Sequence, residues 1–238
     1  MPSTSLAIIT ALPQEFAAVE AAIPPAERGQ VKLICGGEGA AAATRAVQEI
    51  LSAADAPPLV CSSGFCGGLA EGLCVGDMVL ADAILGANDG ERHAVEFEPL
   101  GVDGLRLALS EARIKHRVGA IVSVPSVVGE SRRKRELGAL RKALAADMES
   151  FAIAAAAGAS GHRVFALRVV SDAVDDELPA EIGSFLDERG RVRLGRVARF
   201  ALSSPRNART LLRLKGNLDK ATDSLTAAWR AVWAAMPR

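Results

Sequence analysis

The run Ala146-Asp147-Met148-Glu149-Ser150-Phe151-Ala152-Ile153-Ala154 sets two acids at the head of a small, apolar segment that continues to Ala157. Helices begin readily at acids, because the first turn has unpaired N–H groups and carries the positive end of the helix dipole. Asp147 therefore reads as a cap. Glu149 has two readings. It either rides the dipole as a structural acid, or it is a carboxylate held for chemistry at the rim of a buried helix, where a charge needs compensation.

Working outward, short apolar runs flank this helix on both sides. Leu6–Thr10, Val31–Cys35, Leu59–Ser62, Val118–Val124 and Val164–Val170 read as buried strands, and an Ala-rich helix follows the second. At 238 residues the chain fits one α/β domain or two small ones. Two further acids stand where such strands end. Glu15 follows Pro13 in the first turn after strand one, and Asp172 follows the Val164–Val170 run. Ligands of α/β folds collect at the carboxyl ends of strands. Dipole complementation explains Glu15 equally well. Arg168, inside the last apolar run, is costly to bury unless an acid pairs with it.

Glycine marks two other places. Gly36-Gly37-Glu38-Gly39 precedes the Ala-rich helix, and Gly64-Phe65-Cys66-Gly67-Gly68-Leu69 follows the third strand, with a second turn closing at Gly76-Asp77. Neither is the dinucleotide fingerprint. The Gly64–Leu69 turn either offers main-chain N–H groups to an anion or a sugar hydroxyl, or serves tight packing. Residues 85–117 are uneven and read as a loop or excursion. Arg132-Arg133-Lys134-Arg135 reads as a solvated helix face.

Composition narrows the classes. Half the residues are hydrophobic and 24% are charged, the balance of a soluble globular chain. Met1–Ser5 lacks a signal peptide's basic and apolar regions, and no apolar run approaches a membrane span. The expected location is cytoplasmic, or peripheral to the inner face of a membrane. Cys35, Cys61, Cys66 and Cys74 are irregularly spaced and read as buried free thiols; with His93, His116 and His162 scattered, no metal site is expected.

Net charge is zero but uneven. Residues 1–188 carry 16 basic and 26 acidic side chains, hence −10, and residues 189–238 carry 12 and 2, hence +10. The acidic body and the lack of aromatic-basic interleaving argue against nucleic acid. In the tail, Leu211, Leu214, Leu218, Ala221, Leu225, Trp229, Val232 and Met236 form one helical stripe, with Lys215, Lys220 and Arg230 off it. Such a helix packs on the body or a second subunit, or lies in a membrane surface with Trp229 and Trp233 at the headgroups.

Four stretches together resemble the nucleoside phosphorylase / methylthioadenosine–adenosylhomocysteine nucleosidase superfamily (the PNP/UDP family). They are Ala11–Phe16, Gly64–Asp77, Asp147-Met148-Glu149 and Arg168–Asp175. The stretch 185–191 and the basic tail look like the hopanoid-associated phosphorylase branch. The resemblance implies a three-layer α/β/α fold around a central mixed, twisted sheet. It also implies a catalytic domain over residues 1–188 and a basic amphipathic helical extension over 189–238. By position, Glu15 matches the residue that activates the attacking water, and Asp172 the acid that protonates the purine at N7, positioned by Ser171 and Arg168. Glu149 matches the acid on the ribose hydroxyls, with Met148 beside the sugar. Gly64, Phe65, Cys66 and Gly67 match the substrate-binding turn. Val127 and Val128 match the segment flanking the base, where nucleosidases carry an aromatic.

The implied reaction is cleavage of the ribosyl N-glycosidic bond of a 5′-substituted adenosine, releasing adenine. In the hopanoid-associated branch the substrate is adenosylhopane, a lipid-linked nucleoside converted to ribosylhopane. The alternatives are a methylthioadenosine/adenosylhomocysteine nucleosidase, a general purine nucleoside phosphorylase, or a non-catalytic nucleoside-binding protein. A homodimer is expected, with peripheral membrane contact through the tail. Adenine leaves poorly as an anion, so an acid at N7 lowers the barrier, and carboxylate charge stabilises the oxocarbenium-like sugar. No cofactor is called for, with inorganic phosphate an optional co-substrate. Ser62 and Ser63 stand where phosphorylases carry a phosphate-binding arginine, which favours water; Arg45 or another subunit's arginine is the alternative source of charge.

Overall fold

The structure is a computed structural model that describes residues 6–52, 57, 59–88, 92–94, 101–185, 187 and 191–236. Leu186, Glu188, Arg189 and Gly190, within the stretch that suggested the hopanoid-associated branch, lie outside the described residues.

In chain order, β1 (Leu6–Thr10) leads to α1 (Pro13–Ala22), β2 (Val31–Cys35) to α2 (Ala40–Leu51), and β3 (Leu59–Gly68) to β4 (Met78–Leu85) and β5 (Arg92–Ala94). Then come α3 (Gly101–Glu111), β6 (His116–Ser123), α4 (Ser131–Arg141), β7 (Ala143–Asp147), α5 (Ser150–Ala159) and β8 (Arg163–Asp172). Two helices follow, α6 (Leu194–Ser203) and α7 (Pro205–Ala235).

The sheet is mixed, as the resemblance implied. β1 lies parallel between β2 and β3. β3 runs parallel to β8 until its register shifts between Cys66 and Gly67; its last two residues then pair antiparallel with β7. β8 pairs antiparallel with β4, β4 parallel with β6, and β6 parallel with β7. The pairings therefore close into a ring, β3–β8–β4–β6–β7. Glycines at 64, 67 and 68 let β3 bend from one partner to the next, since a bulge needs a backbone free of side-chain crowding.

Alternation along the strands fixes the layers. Leu6 and Ile8, with Leu59, Cys61, Phe165 and Leu167, face α1, α3 and α7. Ala7 and Ile9, with Val60, Val164 and Ala166, face α2 and α5. Side chains of a strand point to opposite faces, so each layer receives every second residue. The result is α/β/α.

The structure corrects several expectations. Residues 85–117 are not only a loop, because α3 lies within them and buries Leu105 and Leu109 completely. Of the four cysteines, Cys61 and Cys66 are buried, but Cys35 and Cys74 are exposed. Trp229 and Trp233 are not presented to a headgroup layer. The α7 stripe packs into the core, with Ala221, Leu225, Ala228, Trp229 and Val232 fully enclosed. Both indole N–H groups have protein acceptors, Ser63 Oγ at 2.8 Å for Trp229 and Glu27 Oε2 at 2.5 Å for Trp233. Burying an aromatic ring while pairing its N–H is worth more to the fold than exposing it. Among the described residues no helix is long and apolar enough to cross a membrane.

Since Trp229 also packs against Phe165, at 6.4 Å between ring centroids, Trp229→Ala should lower unfolding free energy by about 3–5 kcal/mol in urea titrations. Leu202→Ala, at a side chain 87% exposed, should change it by less than about 0.5 kcal/mol.

Candidate active site

Glu15 is the third residue of α1 and is 2% exposed. Its Oε2 accepts from the main-chain N–H groups of Ala11 and Leu12, both at 2.8 Å, and its Oε1 from Phe65 N–H at 2.7 Å. The first two satisfy helix-end donors, as an acid at this position does when it reaches back. The third ties α1 to β3. Gly64, with φ +143°, passes so close that a Cβ there would overlap the Glu15 carboxyl. Burial pushes the Glu15 carboxyl above its ordinary range, opposed by the Arg168 charge and the three N–H donors.

Arg168 is 1% exposed in the middle of β8. Asp147 is its acid, at 2.8 Å, and Glu149 stands at 3.8 Å. Its guanidinium also donates to Ser62 Oγ at 2.7 Å and Ser150 Oγ at 3.1 Å. Asp147 in turn accepts from the Ser150 N–H at 3.2 Å, from Ser150 Oγ, and from Ser123 Oγ at 2.5 Å. It does meet the first N–H of α5, as a cap would. Its larger role is to neutralise Arg168.

Glu149 projects from the start of α5 and accepts from Gly39 N–H at 2.8 Å. That contact explains the glycine-rich turn before α2, where a main-chain N–H must face a carboxylate at φ +85°. Burial raises the Glu149 carboxyl to about 7; Arg168 opposes the shift and Asp147 adds to it.

Asp172 ends β8 and is 8% exposed. Ser171 Oγ donates to its Oδ1 at 2.8 Å, and the Lys134 ammonium lies 2.6 Å from its Oδ2. Arg168 was expected to position Asp172, but its guanidinium is directed to Asp147, Ser62 and Ser150 instead. Arg168 and Asp172 share a face of β8 but stand four residues apart, roughly 13 Å along the strand, and an interior charge is drawn to the nearest buried acid.

One cleft is lined by Glu15, Glu38, Phe65, Cys66, Gly67, Val127, Val128, Lys134, Asp147, Met148, Glu149, Ser171 and Asp172, with Leu69 and Val124 among the apolar walls. Glu15, Glu149 and Asp172 thus share one space with most of the expected binding residues. Gly64 and Arg168 do not line it; they stand behind the acids and hold them. Arg45 is exposed on α2 and does not line it either.

Three residues escaped the sequence. Lys134 was assigned to a solvated face but is 0% exposed, because α4 turns it inward while Arg132, Arg133 and Arg135 stay outside. Nothing in a run of four basic residues marks the one that is buried. Glu38 lines the cleft, and an acid inside a glycine-rich turn after a strand was the available signal. Asp147 as the partner of Arg168 was half legible, since the need for an acid was plain and its identity was not.

The comparisons with known proteins agree with this architecture. Over 156 residues, 58% of this chain, the sequence is 36% identical to a futalosine hydrolase of Streptomyces coelicolor; the match spans 64% of that relative's length. A futalosine hydrolase of Helicobacter pylori superposes with a TM-score of 0.71 at 16% identity, covering 98% of this chain and 99% of that one. A 5′-methylthioadenosine/S-adenosylhomocysteine nucleosidase of Neisseria meningitidis in complex with methylthio-immucillin-A gives 0.71 at 19%, covering 97% and 99%. At those identities the two structures share the fold. The family model of the phosphorylase superfamily matches residues 5–202, which span β1 through α6 and every acid of the cleft; the chain belongs to the phosphorylase superfamily.

Proposed function

We propose that the protein hydrolyses the N-ribosidic bond of a purine nucleoside substituted at its 5′ position, releasing the free base. The observation that carries this reading is the meeting of Glu15, Glu149 and Asp172 in one cleft, each held by specific donors. The names of the similar proteins, futalosine hydrolase and methylthioadenosine/adenosylhomocysteine nucleosidase, support it.

The chemistry divides among the three acids. Asp172 delivers a proton to N7 as the C1′–N9 electron pair withdraws into the base. The sugar becomes oxocarbenium-like, and the carboxylates of the cleft stabilise that charge. Glu149 accepts hydrogen bonds from the ribose hydroxyls. Glu15 takes a proton from water as its oxygen bonds to C1′. Glu15 thus ends protonated and Asp172 ionised, and exchange with solvent resets both. Water is the favoured nucleophile over phosphate. Among the described lining residues the one cation is Lys134, which already sits against Asp172.

A second reading narrows the substrate to a lipid-linked nucleoside such as adenosylhopane. Its support is α6, which exposes Leu194 (76%) and Leu202 (87%) on the same short helix as Arg196 and Arg199. An apolar and cationic surface suits an anionic bilayer. Co-sedimentation with vesicles containing phosphatidylglycerol should then be lost in a Leu194→Ser, Leu202→Ser variant. Equal sedimentation of both proteins rejects the reading.

Mass spectrometry of products, with and without phosphate, tests the reaction. Methylthioadenosine, adenosylhomocysteine, futalosine and adenosylhopane are the substrates to offer. At least one should yield free base and a ribose product at a rate independent of phosphate. Asp172→Asn should fold and lose about 10²- to 10⁴-fold in kcat.

The pH dependence follows from Glu149. Its carboxyl, raised from 4.5 to about 7 in the folded protein, loses its acceptor form as pH falls, so kcat/KM should decline below about pH 7. Stability has the opposite sign. A raised folded-state value means the folded chain holds a proton the unfolded chain releases, so this contribution is full below about 4.5 and lost as pH rises through about 7. Rate profiles and thermal melts of wild type and Glu149→Gln check both, since the variant should lose Glu149's share of each slope and keep that of Glu15.

A further inference from the structure

Lys134 is out of place by every local measure. It lies in the polar first half of α4, Ser131–Glu136, yet its side chain is 0% exposed. Its basic neighbours meet surface acids: Arg132 pairs with Glu136, Arg133 with Glu130, and Arg135 with Glu71 and Asp175. Taking an ammonium out of water costs several kcal/mol unless its donors are matched.

They are matched in full. An ammonium has three N–H donors and no acceptor. Lys134 Nζ stands 2.6 Å from Asp172 Oδ2 and donates to the carbonyls of Ala173 at 2.8 Å and Asp176 at 2.9 Å. Both carbonyls belong to the turn that follows β8. That turn is closed on itself, by Asp176 N–H on the Ala173 carbonyl at 3.0 Å and by Ala173 N–H on Asp176 Oδ2 at 2.9 Å. Lys134 therefore clamps α4 to the segment carrying Asp172. With three donors engaged it has none left for phosphate or for the base, so whatever it contributes passes through Asp172.

Resting on the reading of Asp172 as the acid at the base, we infer that Lys134 is the positioning residue of that acid. It fixes Oδ2, and Ser171 Oγ lies within reach of Oδ1, so the carboxyl is locked in rotation with one edge toward the cleft. Gly67, where a Cβ would stand 3.2 Å from Oδ2, leaves room for that locked position. The charge adds to the geometry. When the proton passes from Asp172 to N7, a carboxylate forms beside a fixed ammonium. The fixed ammonium meets that carboxylate without reorganising. The proton on N7 comes from Asp172, the C1′–N9 pair goes to the base, and Lys134 remains an ammonium throughout.

The test separates leaving groups that need a proton from one that does not. Wild type and Lys134→Met are assayed with the purine nucleoside that wild type turns over and with 4-nitrophenyl β-D-riboside, whose phenolate leaves unaided. The variant should lose about 10²-fold or more in kcat on the purine nucleoside. Its KM should stay within about threefold, and its rate on the nitrophenyl riboside should be retained. In an Asp172→Asn background Lys134→Met should cost nothing further. Equal losses on both substrates, or no loss on either, overturn the inference while leaving the hydrolase reading intact. A wild type inactive on every nucleoside overturns the hydrolase reading and this inference with it. Lys134→Gln, which keeps donors for the two carbonyls but drops the charge, takes the place of Lys134→Met should that variant fail to fold.

Discussion

The buried guanidinium of Arg168 is the constraint around which the rest of the site is arranged. A positive charge in the middle of a sheet strand, 1% exposed, demands acids and hydroxyls from every side. β7 supplies Asp147, the start of α5 supplies Glu149 and Ser150, and β3 supplies Ser62. These three elements converge on one side chain, and their convergence leaves Glu149 at the rim of a cleft. The cost of burying Arg168 and the placing of the acid that would meet the sugar are the same piece of packing.

Electrostatics then grade the acids by position. Asp147, nearest Arg168 and surrounded by hydroxyl donors, serves as its counter-ion. Glu149, farther away and buried, is raised to about 7. Glu15 is raised by burial against three main-chain donors. Both buried glutamates thus hold a proton more readily than they would in water, from their surroundings alone. Asp172 stands apart from this cluster with a cation of its own, Lys134. The cleft therefore has two electrostatic ends, one at Glu149 compensated by Arg168 and one at Asp172 compensated by Lys134.

The bend in β3 joins those ends. Its first half lies along β1 and β8, and its last residues cross to β7. Gly64 gives way to the Glu15 carboxyl, Phe65 N–H binds it, and Gly67 passes beside Asp172. One glycine-rich strand thus touches the acids at both ends, which is why a side chain at Gly64 is not tolerated sterically and room at Gly67 is limited. On the far face α7 closes the core with Trp229 bonded to Ser63, on the same strand.

The sequence by itself determined the local periods and the chemical demands. Alternating apolar runs set the strands, the small-residue run after Glu149 set α5, and the three-to-four spacing of the tail set α7. Glu15 and Asp172 stood out because each follows an apolar run at a motif, Glu149 because it heads the small-residue helix, and Arg168 announced its need for an acid. Only the tertiary structure decided how those demands were met. It gave Arg168 to Asp147 rather than to Asp172, drew Lys134 out of a basic run to the Asp172 end of the cleft, and turned the tail's tryptophans inward. Each of these depends on which face of an element meets which neighbour across 21 to 206 residues of chain. Local periodicity states that a face exists; only packing, through the cost of leaving a charge or an indole unpartnered, selects what it faces.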